Sequence, residues 1–110
     1  MRRIWIDPYR DTTRTRAFRQ NIRSEIYYQV DFSSAVADRP GSVTMTSVTW
    51  TSTGSREVTI ENKTLTSSVA QATLMSEWGG YGEVRVEATY SDDDTESVYL
   101  NVTFEDPEYR

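Results

Sequence analysis

The chain has 110 residues, a formal net charge of −5 and 36% hydrophobic residues, which suits one domain of ordinary size. It contains no His and no Cys, which excludes disulfides, Ser-His-Asp and Cys-His nucleophilic sites, and His-bearing zinc sites. The acidic residues fall on polar strand faces and in loops, so we expect a solvated surface, no enzyme activity and no cofactor. The absence of Cys favours synthesis in a cytoplasm, and no apolar run reaches the length of a signal peptide or a membrane span.

Positive charge is concentrated at the N-terminus. Residues 1–23 hold seven of the 12 Lys and Arg residues, all seven of them Arg, against only Asp7 and Asp11. This segment therefore carries +5, and the total of −5 leaves −10 for residues 24–110. A basic arm is joined to an acidic body, which indicates a role in binding or assembly.

The arm itself has an ambiguous pattern. Ile4-Trp5-Ile6 before Pro8 fits a short strand or an extended peptide, and the spacing of Arg14, Phe18 and Ile22 fits a marginal helix. Because the arm holds few apolar side chains, we predict that it orders only on docking, and that the body folds without residues 1–23. The candidate partner-binding residues are Arg2, Arg3, Trp5, Tyr9, Arg10, Arg14, Arg16, Phe18, Arg19 and Arg23.

From residue 24 onward, apolar and polar residues alternate, which is the period of half-buried strands. The alternation predicts six or seven short strands without helices between them, and a phase shift near Thr46-Ser47 predicts a β-bulge or a break. Turn residues separate the segments, and residues 78–82 (WGGYG) predict a tight connection in which glycine allows positive φ or close approach. The segments that alternate most clearly are 26–32, 69–75, 84–90 and 98–104.

The last two segments predict a long hairpin with an acidic loop at Asp92-Asp93-Asp94. We interpret the whole pattern as an all-β chain that forms an antiparallel β-sandwich, with Trp50 at the centre of its core. The three aspartates suit a turn, and calcium binding is the alternative, although the ligand spacing of a calcium loop is missing. Tyr27 and Tyr99 lie opposite the apolar faces of their strands, either as ordinary sheet-surface tyrosines or as a protein contact patch.

The arginine arm allows three interpretations: a solvated tail without function, a nucleic-acid-binding segment, or a segment that docks on an acidic protein surface. Arg pairs well with phosphate, but a body with a net charge of −10 would repel a polyanion. An arm on one copy and an acidic body on the next are complementary, which favours head-to-tail assembly into a ring. We therefore favour docking on protein.

Short motifs support a resemblance over residues 25–104. Residues 48–54 (VTWTSTG), 80–90 (GYGEVRVEATY) and 98–104 (VYLNVTF) resemble an immunoglobulin-like sandwich of the bacterial and phage kind. The order of features is similar to that of the small tailed-bacteriophage proteins called fiber-tail adaptors, which open with a strand ending in Asp-aromatic-Ser, as Asp31-Phe32-Ser33 does here.

The resemblance implies a non-enzymatic structural protein of a tailed-phage virion, made in the host cytoplasm. It would join tail or portal components to fibers or neighbouring subunits. The expected organisation is a docking arm at 1–23, an immunoglobulin-like β-sandwich at 24–105 and a polar tail at 106–110. Expected partners are portal, adaptor, tail or fiber proteins and further copies in a ring, with neither nucleic acid nor membrane. A capsid decoration protein is the alternative function, and a nucleic-acid-binding accessory is the second alternative.

Overall fold

A computed structural model of the protein describes residues 2–5 and 15–107, and the side chains of the second range. The described residues form eight strands and one short helix. In chain order these are β1 (Arg2–Trp5), β2 (Thr15–Asn21), β3 (Ile26–Asp31), α1 (Ser33–Ala37), β4 (Met45–Ser52), β5 (Thr59–Thr66), β6 (Val69–Met75), β7 (Gly80–Tyr90) and β8 (Thr95–Glu105).

The strands form two four-stranded sheets, in the orders β1-β3-β6-β5 and β2-β8-β7-β4. The sheets pack as a β-sandwich, which confirms the predicted all-β, immunoglobulin-like fold. Two edge pairings differ from the antiparallel expectation, because β1 runs parallel to β3 and β2 runs parallel to β8. The N-terminal segment therefore contributes one edge strand to each sheet.

The core lies between the sheets and is built from alternate residues of each strand. Trp50 on β4 is buried, with 6% of its surface exposed, as the sequence predicted. Burying a Val, Leu or Phe side chain contributes about 1.5–3 kcal/mol, so the long β7–β8 hairpin supplies much of the stabilisation. Its large buried apolar residues and its buried alanine are Val84, Val86, Ala88, Tyr90, Val98, Leu100, Val102 and Phe104.

The predicted boundary between arm and body is corrected by β2. Residues 15–21 pair with β8, from Thr15 beside Tyr99 to Asn21 beside Glu105, so this stretch belongs to the sandwich and does not wait for a partner to order. The inward set of β2 is Arg16, Phe18 and Gln20. Because two of the three inward residues are polar, β2 lacks the alternation of apolar and polar residues that predicts a strand. This is why the sequence pattern suggested an arm or a helix.

Gln20 joins the two sheets through a buried hydrogen-bond network. Its amide nitrogen Nε2 donates to the backbone oxygens of Ser24 (2.9 Å) and Leu74 (3.0 Å). Its oxygen Oε1 accepts from the Tyr28 hydroxyl at 2.6 Å. Phe18 packs edge-on against the Tyr28 ring, with centroids 5.3 Å apart. Buried polar groups in such networks are costly to leave without partners, so β2 is fixed to the facing sheet.

Several local predictions are confirmed. The register of β4 against β7 shifts between Met45 and Ser47, at the predicted bulge. Gly80 adopts a φ of +136°, and a β-carbon on Gly82 would lie 2.7 Å from Val58 Cγ2, so both glycines are required by geometry. The short helix α1 was not predicted, and within the described ranges no helix is long and apolar enough to cross a membrane.

Candidate interaction surface

The ten residues predicted to bind a partner do not form one cluster in the described part of the chain. Arg2, Arg3 and Trp5 lie on β1, in register with Tyr28, Gln29 and Asp31 of β3. Tyr9, Arg10 and Arg14 lie outside the described residues. Arg16 and Phe18 belong to the inward set of β2, Arg19 lies on its outer side, and Arg23 lies in the following turn with a φ of +62°.

Arg19 and Arg23 contact carboxylates of the same chain. Arg19 Nη1 lies 3.7 Å from Glu105 Oε1, and Arg23 Nε lies 3.4 Å from Glu77 Oε2. The Arg19 and Arg23 side chains remain 82% and 64% exposed, so each ion pair contributes at most about 1 kcal/mol. Both arginines therefore stay accessible, although part of their charge is neutralised within the body.

Tyr27 and Tyr99, for which a protein contact patch was one of two alternatives, lie on different sheets. Tyr27 is on β3 in one sheet and is 40% exposed, whereas Tyr99 is half-buried on β8 in the other sheet. Tyr99 is paired in register with Arg85 on one side and Thr15 on the other. Each is thus an ordinary cross-strand residue of its own sheet surface.

The structure shows a different aromatic surface, at the turn between β6 and β7. Trp78 is 67% exposed and Tyr81 is 50% exposed, the two most exposed large hydrophobic side chains among the described residues. The buried Ser76 hydroxyl donates to the Trp78 carbonyl (3.0 Å) and accepts from the Trp78 amide (3.3 Å), which holds the turn. Gly80 then redirects the chain into β7, so the Trp78 indole is directed to solvent by a fixed backbone.

A groove of about 500 Å³ lies beside Trp78, and we call it the Trp78 groove. Arg56 contributes a guanidinium that packs against Gly80, where a β-carbon would lie 3.1 Å from Arg56 Nε. This Nε is buried and has no hydrogen-bond acceptor, which is a costly state for a charged donor. The residues that line the groove are Ile22, Arg23, Arg56, Glu77, Trp78, Gly79 and Asp106.

This surface contains residue types that are common at protein interfaces. Trp, Tyr and Arg are enriched among the residues that dominate binding energy at protein interfaces. The tight connection predicted at 78–82 is present, but the sequence pattern did not mark the two aromatics as contact residues. A Trp that precedes two glycines in a turn has no strand face on which to be buried. This pattern would have identified Trp78 as an exposed aromatic.

The opposite end of the sandwich carries the acidic β7–β8 turn, and here Arg39 is the central residue. Its side chain is 7% exposed and contacts Asp94 at 2.7 Å, Asp92 at 3.8 Å and the buried carboxylate of Glu96. Its guanidinium carbon lies 3.7 Å from the centroid of the Tyr90 ring. The hydrogen bond from Arg39 lowers the pKa of the Asp94 carboxyl, with a smaller effect from the Thr95 backbone. Two of the three aspartates thus pair with Arg39, and the described residues contain no group of three or more acidic side chains arranged to hold a metal.

Tyr90 gives this cluster a measurable pH dependence. Burial, followed by the negative charge of Glu96, raises the pKa of the Tyr90 phenol from 10.0 to about 12. The pKa of Tyr90 is higher in the folded state than in the unfolded chain, so protonated Tyr90 contributes to the free energy of unfolding. This contribution is complete below about pH 10 and is lost as the pH rises through about 12. We expect the free energy of unfolding of the wild type to fall more steeply across this window than that of Tyr90→Phe, measured by urea denaturation. Parallel pH profiles for the two proteins would contradict the assignment.

Comparison with known proteins supports the fold alone. No family model and no curated protein matches the chain. Among solved structures, the chain is similar to the cysteine protease inhibitor EhICP2 from Entamoeba histolytica, with a TM-score of 0.51 and 9% sequence identity. The match covers 81% of this chain and 85% of the inhibitor chain. At this identity the shared feature is the sandwich architecture.

Proposed function

We propose that the protein is a non-enzymatic structural component of a tailed-phage virion, an adaptor that joins tail or portal components to fibers or to neighbouring subunits. The observation that carries the proposal is the pair of exposed aromatics Trp78 and Tyr81 at one end of the sandwich, together with Arg23 and Arg56 in the groove beside Trp78. Large aromatics on a fixed turn bind at low entropic cost, because little conformational freedom remains to be lost. The resemblance of residues 25–104 to fiber-tail adaptors supports the virion context.

In this proposal the sandwich acts as a rigid spacer. β7 and β8 each have 11 residues and connect the Trp78 groove at one end with the acidic turn at the other, a span of roughly 35 Å at about 3.4 Å per residue. The proposed docking arm is reduced to residues 6–14, because β1 and β2 are both strands of the sandwich. Its two arginines, Arg10 and Arg14, would make charge-assisted hydrogen bonds to carboxylates of portal, adaptor, tail or fiber proteins.

Incorporation into particles tests the proposal. We expect tagged wild-type protein, expressed in the host during infection, to copurify with particles. We expect the double variant Trp78→Ala/Tyr81→Ala to be incorporated at least tenfold less, since aromatic hot-spot residues each contribute about 2 kcal/mol or more. Tyr27→Ala is the matched control, because it removes an exposed aromatic from the other sheet. Equal incorporation of the double variant and this control would contradict the proposed role of the surface.

Two alternative functions are separated by simple measurements. A capsid decoration protein would be present in hundreds of copies over the shell, whereas an adaptor would be present in few copies at one vertex. A nucleic-acid-binding accessory would bind duplex DNA at low salt and lose affinity steeply as salt rises. The net charge of −10 on residues 24–110 disfavours such binding, and we expect none at low salt.

A further inference from the structure

The two ends of the sandwich carry unsatisfied charges of opposite sign. In the Trp78 groove, Arg56 forms no ion pair or hydrogen bond with any described residue, and its Nε is buried without an acceptor. At the other end, the Asp93 side chain is exposed at the tip of the β7–β8 turn. Asp92 and Asp94 contact Arg39, but the Asp93 carboxylate contacts no cation among the described residues.

The backbone presents Asp93 outward. Asp93 has a φ of +67°, and its amide donates to the Tyr90 carbonyl at 2.9 Å, which closes the turn. The Tyr90 amide in turn donates to the Asp94 carbonyl at 2.9 Å, and Arg39 holds the flanking aspartates. The tip is therefore a fixed, narrow projection that presents one free carboxylate, with little entropy to lose on binding.

The charged residues that line the groove sum to zero, so a second acidic chain meets no net repulsion from them. They are balanced, with Arg23 and Arg56 against Glu77 and Asp106, whereas the whole chain carries −5. Glu77 is already close to Arg23, at 3.4 Å, which leaves Arg56 as the cation for an incoming carboxylate. The adjacent Trp78 indole offers an apolar surface against which the backbone of a turn can pack.

We propose that the Trp78 groove of one copy binds the Asp92–Asp94 turn of a second copy, so that Arg56 pairs with Asp93 and copies join head to tail. This inference rests on the proposed assembly function and names one of its contacts. A contact between two different surfaces repeats, and it forms a closed ring where the rotation closes. It differs from a two-fold dimer, in which two Trp78 grooves would face each other.

Charge reversal distinguishes these arrangements, with association measured by sedimentation equilibrium over a range of protein concentrations. We expect the wild type to associate, and Arg56→Glu or Asp93→Arg alone to weaken association at least tenfold. The double variant Arg56→Glu/Asp93→Arg restores the pair with reversed sign and should recover association. An equimolar mixture of the two single variants should also associate, because each contact in the mixed assembly joins opposite charges.

Lys63→Glu on β5 is the matched control, since it makes the same charge change as Arg56→Glu at an exposed position that does not line the groove, and it should leave association unchanged. A wild type that stays monomeric at all concentrations would overturn the inference. The inference would also be overturned if the double variant does not recover association. That result is expected for a two-fold contact or for a different partner in the groove. If the wild type is monomeric but still enters particles, only the proposed contact between copies is overturned. If the chain associates head to tail but is absent from particles, the proposed function is overturned.

Discussion

The Arg39→Ala variant is expected to lose about 3–5 kcal/mol of its free energy of unfolding, because it removes the guanidinium that neutralises the buried Glu96. The Glu96 side chain is 8% exposed, so water cannot replace the lost interaction. The same change removes the contact of the guanidinium with the Tyr90 ring and releases Asp94. Urea denaturation, followed by tryptophan fluorescence, measures the loss.

Two further variants identify the cause. Arg19→Ala removes an exposed ion pair with Glu105 and should cost less than about 1 kcal/mol. Arg39→Met/Glu96→Leu removes both buried charges together and should be more stable than Arg39→Ala, since replacing a buried pair by apolar groups is often neutral. An Arg39→Ala protein within about 1 kcal/mol of the wild type would show that the cluster contributes little.

The Gln20→Leu variant is expected to lose about 2–4 kcal/mol, because three hydrogen bonds disappear, two of them to the facing sheet, while the groups they satisfied stay wholly or partly buried. The substitution removes the acceptor of the Tyr28 hydroxyl and the donor to the Ser24 and Leu74 carbonyls. Gln20→Leu/Tyr28→Phe should recover part of the loss, since the hydroxyl is then absent. A Gln20→Leu protein as stable as the wild type in urea denaturation would mean that β2 is not held by this network.

The same network changes the expectation for truncated chains. The sequence predicts that the body folds without residues 1–23, but that deletion removes β1, Phe18 and Gln20 together with the strand that pairs with β8. We therefore expect the deletion to destabilise the sandwich itself. A test of the arm should replace Arg10 and Arg14 by Ala and leave β1 and β2 in place.

The sandwich could be predicted because its inner faces follow a simple period. Val84, Val86 and Ala88 alternate with charged residues, and a phase shift near Ser47 marks a true bulge. β2 could not be predicted, because Gln20 is buried through long-range hydrogen bonds that no local pattern contains. Arg39 and Glu96 are hidden for the same reason, since they are 57 residues apart in the chain and only the fold brings them together.

The candidate surface was predicted only in part. The arginines of the arm are visible in the sequence, and Arg19 and Arg23 are indeed exposed, yet each also contacts a carboxylate of its own chain. Arg56 and Trp78 are distant in the sequence and line one groove only in the folded chain, after the two sheets pack. Charge asymmetry thus suggested binding, and the fold determined which surface is best suited to it.

The most direct measurement for the proposed function is an electron cryomicroscopy reconstruction of particles that carry the protein. The adaptor function predicts a few symmetry-related copies of the sandwich at the tail vertex, with Trp78, Tyr81 and Arg56 buried against a neighbouring protein. Particles without density for the sandwich, or copies whose Trp78 groove faces solvent, would contradict it.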